Sequence, residues 1–387
     1  MANKEDKVVF VLGAGFSFPA LGFGQSGILS QLKTNNYPGW NDISVFIDEI
    51  YGKNSNVPLE DIYTAMDRSI MLRQYIKQYS PENVLELRST LNDLITKLVD
   101  EAPGDKQYIL QFARKVCEFR WSQYKKLREA ESTNSNYEDD RISILSLNWD
   151  VMLDHAFGDD MDRNSNYIDV RKGFSKKERM MFMDFCMFDF NISEDQNTIA
   201  SLRLKPAGFV NLKYLKLHGA MNWFYCPNCS GIYVNMEGYS YKYLSERKDC
   251  RVCNKNFPNS QYKLIRFFVT LTFLKDFNNA HFKSIWWNAG YELAEATKVI
   301  FIGYSLPLAD YEFKYLLAKN LPKDVIIQVV LSREASDFQQ SRKNYSDYFG
   351  DRIKAENIYC HGVNKYVEEL EFENIFDNSM QTRNRGK

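Results

Sequence analysis

Val8-Val9-Phe10-Val11-Leu12-Gly13-Ala14-Gly15-Phe16-Ser17 is the stretch that decides the fold. Five apolar residues run without alternation and stop at a glycine-flanked turn. A run that is apolar on both faces suits a parallel strand covered by helices above and below, and a Gly-x-Gly turn after it suits entry into a helix. The pattern recurs down the chain. Ile142 to Leu147 ends at Asn148, Tyr214 to Leu217 at His218, Val299 to Ile302 at Gly303, and Val325 to Leu331 near Ser332. Helical stretches such as Ile285 to Thr297 lie between them. These runs predict an α/β fold, a Rossmann-like doubly wound parallel sheet.

In open sheets of this kind, ligands bind in the crevice outside the carboxyl ends of the strands. Gly13, Asn148, His218 and Gly303 each follow a strand directly, so four residues spread over roughly 290 positions are expected to meet at one pocket.

The remainder of the chain sorts around that sheet. A length of 387 residues allows two to three structural units, and 44% apolar with 26% charged residues excludes a disordered or collagen-like chain. Lys plus Arg total 49 against 50 for Asp plus Glu, so composition supplies no basic footprint for direct nucleic-acid binding. No apolar run approaches the roughly 18 residues of a bilayer span, and the start carries no leader pattern, so the cytoplasm is the expected location. Residues 1–34 read as the first part of the sheet and 35–140 as a large helical insertion. Residues 141–225 continue the sheet with the catalytic candidates, 226–263 form a small cysteine module, 264–372 complete the sheet, and 373–387 are a flexible tail.

Within the insertion, Ser80-Pro81-Glu82 reads as an N-cap followed by proline at the first helical position. Val84, Leu87, Leu91, Leu94 and Leu98 then form one buried stripe. Helices are also expected over Leu59 to Tyr79 and Gln107 to Glu131, with solvated loops over Ser132 to Asp140 and Gly158 to Asp169.

Five groups of residues could carry chemistry. Gly13-Ala14-Gly15-Phe16-Ser17 could cradle a phosphate, since glycines admit close approach and the next helix offers amide donors. It could equally be a tight strand-to-helix turn, and a dehydrogenase fingerprint would need a third glycine where Phe18 stands. Asn148 with Asp150 offers a donor, an acceptor and a fixed charge, or an N-cap for the next helix. His218 is suited to general-base work near neutral pH. His155, His281 and His361 lack a comparable setting and read as structural. Gly303-Tyr304-Ser305 could lie against a nucleotide's ribose or phosphate, or simply end a strand.

The fifth group is Cys226, Cys229, Cys250 and Cys253, four of the seven cysteines inside one 28-residue window. Two C-x2-C knuckles can complete a tetrahedron around one zinc ion. A site closed by four protein thiolates leaves no position for water, so this metal is expected to fold the module rather than catalyse. Cys117, Cys186 and Cys360 read as ordinary buried thiols.

Taken in order, GAG-x-S, N-x-D after a strand, L-H-G, CxxC…CxxC and a Gly-x-Ser strand end resemble the sirtuin (silent information regulator) family. The resemblance spans Val8 to Leu306, carried by motifs with large insertions between them. Phe301-Ile302-Gly303-Tyr304-Ser305-Leu306-Pro307, followed by Asp310 and Phe313, looks more like the bacterial sirtuin-like branch associated with antiphage defence, and Trp286 and Trp287 fit that branch too. Deacylating sirtuins carry Pro-Asp-Phe-Arg after the first turn, where this chain has Gly22-Phe23-Gly24-Gln25-Ser26-Gly27-Ile28. They carry Phe-Gly-Glu past the zinc module, where it has Val269-Thr270-Leu271-Thr272-Phe273-Leu274-Lys275.

The resemblance implies NAD as substrate, structural zinc, and an NAD+ glycohydrolase that uses Asn148, Asp150 and His218. Gly13, Ala14, Gly15, Phe16, Ser17, Gly303, Tyr304 and Ser305 would cradle the dinucleotide. The alternatives are an NAD-dependent lysine deacylase and a non-catalytic NAD or ADP-ribose sensor. It also implies a hexameric DNA-translocase-like ATPase as partner, and a homo-oligomer is expected because the helical insertion over 35–140 supplies surface beyond what the sheet requires.

Overall fold

The computed structural model describes residues 6–129, 141–163, 180–187, 190–192, 209–234, 249–259, 262–269, 279–308 and 310–376. Its centre is a seven-stranded, wholly parallel sheet in the order β11-β10-β9-β1-β2-β5-β3. The strands are β1 (Val8–Leu12), β2 (Ile142–Ser146), β3 (Met180–Asp184), β5 (Phe209–Lys216), β9 (Lys298–Ile302), β10 (Ile326–Val330) and β11 (Ile358–Tyr359). The chain passes from β1 to β2, crosses to the edge at β3 and comes back to insert β5 between β2 and β3, then returns to the other side of β1 for β9, β10 and β11. Because parallel crossovers are right-handed, that reversal puts helices on both faces and makes β1/β9 the topological switch point. The expected doubly wound sheet is what forms.

β1 and β2 are buried along their whole length, which explains why their sequences do not alternate. The interval between them is helical: α1 (Ala14–Leu21), α2 (Ile28–Asn35), α3 (Trp40–Tyr51), α4 (Leu59–Leu72), α5 (Pro81–Asp100) and α6 (Gln107–Glu129). The Ser80 hydroxyl caps α5 by accepting the Asn83 amide at 3.3 Å. Val84, Leu91, Leu94 and Leu98 bury its stripe against Ile43 and Phe46 of α3 and Ile62, Tyr63 and Met66 of α4, in a core separate from that of the sheet. α4 stops at Leu72, short of the expected Tyr79, because Arg73 turns left-handed and caps it.

A second sheet, β4-β7-β6-β8, is built from β4 (Phe190–Ile192), β6 (Gly219–Tyr225), β7 (Ile232–Val234) and β8 (Ile265–Phe268). The insertion docks on it through Arg266 of β8. That guanidinium meets Asp93 of α5 at 2.7 Å and donates to the Met221 carbonyl at 3.0 Å.

Two expected loops need correcting or placing. Helix α7 (Met152–Arg163) runs through the first part of the stretch expected as a loop from Gly158 to Asp169. A helix once nucleated extends at little further cost, even through polar residues. The rest of that stretch, and Ser132 to Asp140, lie outside the described residues. Order also persists past Glu373. A short helix, Phe372–Phe376, buries Phe372 against Phe10 and Phe119.

The sharpest constraint in the sheet lies at the switch point. Gly303 has φ of +61°, and a Cβ there would lie 2.1 Å from the Phe16 amide nitrogen. Backbone strain and overpacking add, so Gly303→Ala is expected to cost roughly 2–5 kcal/mol, read as a lowered midpoint in urea.

Candidate active site

The turns after β1 and β9 touch backbone to backbone. The Gly13 amide donates to the Ile302 carbonyl at 3.1 Å and the Gly15 amide to the Gly303 carbonyl at 2.7 Å. A Cβ on Gly13 would sit 2.6 Å from Tyr304 Cα, and one on Gly15 would sit 2.8 Å from the Gly303 oxygen. Packing of turn on turn therefore accounts for all three glycines. The Phe16 amide returns to the Gly13 carbonyl at 2.8 Å. The Ala14 amide, first in α1, has no backbone partner among the described residues. No acidic residue stands in that first turn to oppose an anion.

The Asn148 side chain reaches into this turn. Nδ2 donates to the Gly13 carbonyl at 2.9 Å and to Ser17 Oγ at 3.2 Å. A carbonyl can only accept, which fixes the orientation of the amide and spends both its hydrogens. The carboxamide oxygen is left as the acceptor, with no hydrogen bond to it among the described residues. Ser17 passes the chain on, donating to Asp150 Oδ2 at 2.7 Å. Asp150 thus supports Asn148 through Ser17. Its other oxygen accepts the amide of Met152, the first residue of α7, at 3.2 Å. Desolvation pushes the Asp150 carboxyl above its usual range, opposed by the nearby Lys216 charge and the Ser17 hydrogen bond.

Lys216, at the end of β5, is fully buried. Its ammonium donates to the Asp150 carbonyl at 2.6 Å and pairs with Asp154 of α7 at 2.7 Å. Two residues on, His218 places Nδ1 3.1 Å from the Leu147 carbonyl. That carbonyl accepts only, so Nδ1 carries hydrogen and the neutral ring keeps its lone pair on Nε2. Leu147 immediately precedes Asn148, so imidazole and carboxamide share one edge of the sheet.

The β9 turn supplies the opposite wall. Tyr304 is buried, and its hydroxyl donates to Asp310 Oδ2 at 2.9 Å. Asp310 Oδ1 lies 4.0 Å from His218 Nε2. The Tyr304 carbonyl accepts the Tyr345 hydroxyl at 2.8 Å and the Ser305 carbonyl accepts Asn344 Nδ2 at 3.0 Å, which pins this turn to helix Phe338–Phe349. The Trp286 indole donates to the Leu217 carbonyl at 2.8 Å, beside the histidine.

Sequence reasoning named most members of this constellation and missed one of them and several connections. Ser17 stood in the phosphate turn, yet it bridges Asn148 to Asp150. Asp310 entered only with the family pattern, and Lys216 not at all; a lysine inside an apolar strand was the signal available. Of the other histidines, His281 donates from Nε2 to the Ser230 carbonyl at 3.0 Å, joining helix Ala280–Glu295 to the cysteine module. A cavity of 410 Å3 between β11 and helix Phe338–Phe349, lined by Arg333, Arg342 and Cys360 among others, contains none of the predicted site residues.

The four module cysteines gather as expected, their sulfurs all within 4.8 Å of one another. Cys226 and Cys253 are 3.7 Å apart and Cys229 and Cys250 are 3.6 Å apart. A tetrahedron of sulfurs at zinc bond length has edges of roughly 3.8 Å, so the set suits zinc. Tyr233 contacts Cys250 Sγ and Asn228 contacts Cys253 Sγ, both at 3.2 Å, as outer donors to thiolates do.

No protein-family model matches this sequence, and no curated protein matches it. Among solved structures the chain is similar to Sir2 proteins. One, a Sir2 homologue–NAD complex, has a TM-score of 0.43 at 11% identity, covering 95% of this chain and 88% of that one. A mutant Sir2 homologue with 2'-O-acetyl ADP-ribose has a TM-score of 0.43 at 11% identity, covering 97% and 94%. A Sir2–p53 peptide–NAD+ complex has a TM-score of 0.39 at 13% identity, covering 97% and 96%. Scores of that size carry no functional inference, which rests instead on the residues above.

Two outcomes follow for the purified protein. Asp154→Ala strands the Lys216 charge without its partner and should destabilise the fold by about 3–5 kcal/mol in chemical denaturation. Elemental analysis should find one zinc per chain, and Cys226→Ser should lose that zinc and unfold at lower temperature.

Proposed function

We propose that this chain is an NAD+ glycohydrolase, converting NAD+ and water into nicotinamide and ADP-ribose with release of a proton. The observation that carries the reading is the shared edge of Asn148 and His218, tied through the Leu147 carbonyl and set at the carboxyl ends of β2 and β5. Such an edge is where an open α/β sheet binds a nucleotide.

In the reaction, the bond between the ribose carbon and the nicotinamide nitrogen breaks and its electron pair goes to the nicotinamide ring, which becomes neutral. Water supplies the electron pair of the new carbon–oxygen bond. His218 Nε2, the atom with the lone pair, takes the proton the water gives up, a role that typically contributes 10²–10⁴-fold. Asn148 has spent both amide hydrogens on Gly13 and Ser17. Its carboxamide oxygen is therefore the part that can accept from a ribose hydroxyl or orient the water. Asp150 holds that geometry through Ser17. The Ala14 amide and the positive end of α1 are the groups of this turn suited to a phosphate. Gly13, Gly15 and Gly303 contribute by letting the two turns close, and Phe16, Tyr304 and Ser305 by shaping them.

The cysteine quartet holds zinc as a folding element with no part in the chemistry. A role in antiphage defence and an ATPase partner belong to this reading through the family resemblance alone, and a homo-oligomer through the surface that the helical insertion adds. No described helix is long and apolar enough to cross a membrane.

Consumption of NAD+ by the purified protein, without added peptide, tests the reading. Free ADP-ribose is expected from the wild type, and Asn148→Ala and His218→Ala should each lower turnover at least about 100-fold while keeping the thermal midpoint. Undiminished NAD+ loss in both variants would overturn the assignments. A product that forms only with an acyl-lysine peptide would point to deacylation.

A further inference from the structure

The Tyr304–Asp310–His218 contact is not used by the reaction just described. His218 has committed Nδ1 to the Leu147 carbonyl, so Nε2 is the atom that takes a proton, and Asp310 Oδ1 lies 4.0 Å from it. That is an ion-pair spacing, too long for a hydrogen bond. Both side chains are nearly buried, at 10% and 8% exposure, so salt screens the pair weakly. The second Asp310 oxygen is held by the Tyr304 hydroxyl, which is itself buried. The carboxylate is therefore fixed in place rather than free to swing away.

We propose that Asp310 is a positioning residue for His218: clamped by Tyr304, it orients the imidazole and stabilises the ring once Nε2 has accepted the proton. The proposal rests on the glycohydrolase reading for its catalytic consequence and on geometry alone for the pairing. Two further charged groups near this strand end are engaged elsewhere. Lys216 of β5 is paired with Asp154, and Asp150 takes hydrogen bonds from Ser17 and the Met152 amide. Helix Ala280–Glu295 presents the neutral Trp286 indole, its ring centre 6.3 Å from that of the imidazole.

Asp310→Asn removes the charge and keeps an acceptor for Tyr304. Two readouts apply, one of which needs no turnover. In an NMR titration of the His218 imidazole, assigned by the signal that His218→Ala removes, the variant should titrate about one pH unit or more lower than wild type, because a carboxylate at this range favours the charged ring. In NAD+ hydrolysis, kcat should fall roughly 10–100-fold with KM little changed, and the acid limb of the kcat profile should move to lower pH. An unchanged titration in the folded variant overturns the pairing, whatever the enzyme does. A shifted titration with wild-type kcat overturns the catalytic role and leaves the pairing standing. If the wild type consumes no NAD+, the glycohydrolase reading and with it the catalytic role fail, and the titration alone decides the pairing. Should Asp310→Asn fail to fold, Tyr304→Phe keeps the charge but releases it. A smaller shift in the same direction is expected, and no shift overturns the proposal.

Discussion

Everything around the site depends on how closely two backbone turns approach. β1 and β9 run parallel, and their carboxyl ends pass into turns that touch through Gly13, Gly15 and Gly303 with no room for a side chain between them. Three hydrogen bonds across or within that contact, from the Gly13, Gly15 and Phe16 amides, consume polar groups that a buried turn must satisfy. The glycines commonly read as a phosphate cradle thus serve first as a joint at the switch point of the sheet.

Three supports converge on that joint. From below, the buried Lys216–Asp154 pair fastens β5 to α7 and holds the carbonyl of Asp150, tying His218's strand to Asn148's loop. From the side, the helical insertion packs its own core against Met221 and the partly buried Trp149, next to Asn148. On the far wall, Tyr345 and Asn344 pin the β9 turn from which Tyr304 and Asp310 extend. The cysteine module is joined to the same framework through His281 and Ser230. A site braced from separate elements keeps its polar groups in register without relying on any one loop.

The central strands were legible because burial on both faces leaves an unbroken apolar signature, as in Val8–Leu12 and Ile142–Ser146. Pro81 and the Leu91–Leu98 stripe made α5 legible for equally local reasons. The second sheet was not anticipated. Two of its strands, Phe190–Ile192 and Ile232–Val234, have three residues each, too few for a period to register. In the site, single residues at strand ends were visible but their wiring was not. That Ser17 links Asn148 to Asp150, or that Asp310 reaches His218 from a different strand end, depends on contacts between segments far apart in sequence. No spacing encodes those contacts.

The central claim is that one dinucleotide lies against both the Asn148 carboxamide and the His218 imidazole. A crystal structure of the His218→Ala protein with NAD+ tests it most directly. The account predicts density with the nicotinamide-bearing ribose within about 4 Å of the Asn148 carboxamide oxygen and facing the space left at position 218. Well-ordered NAD+ confined to the cavity between β11 and helix Phe338–Phe349, with nothing at Asn148, would contradict it.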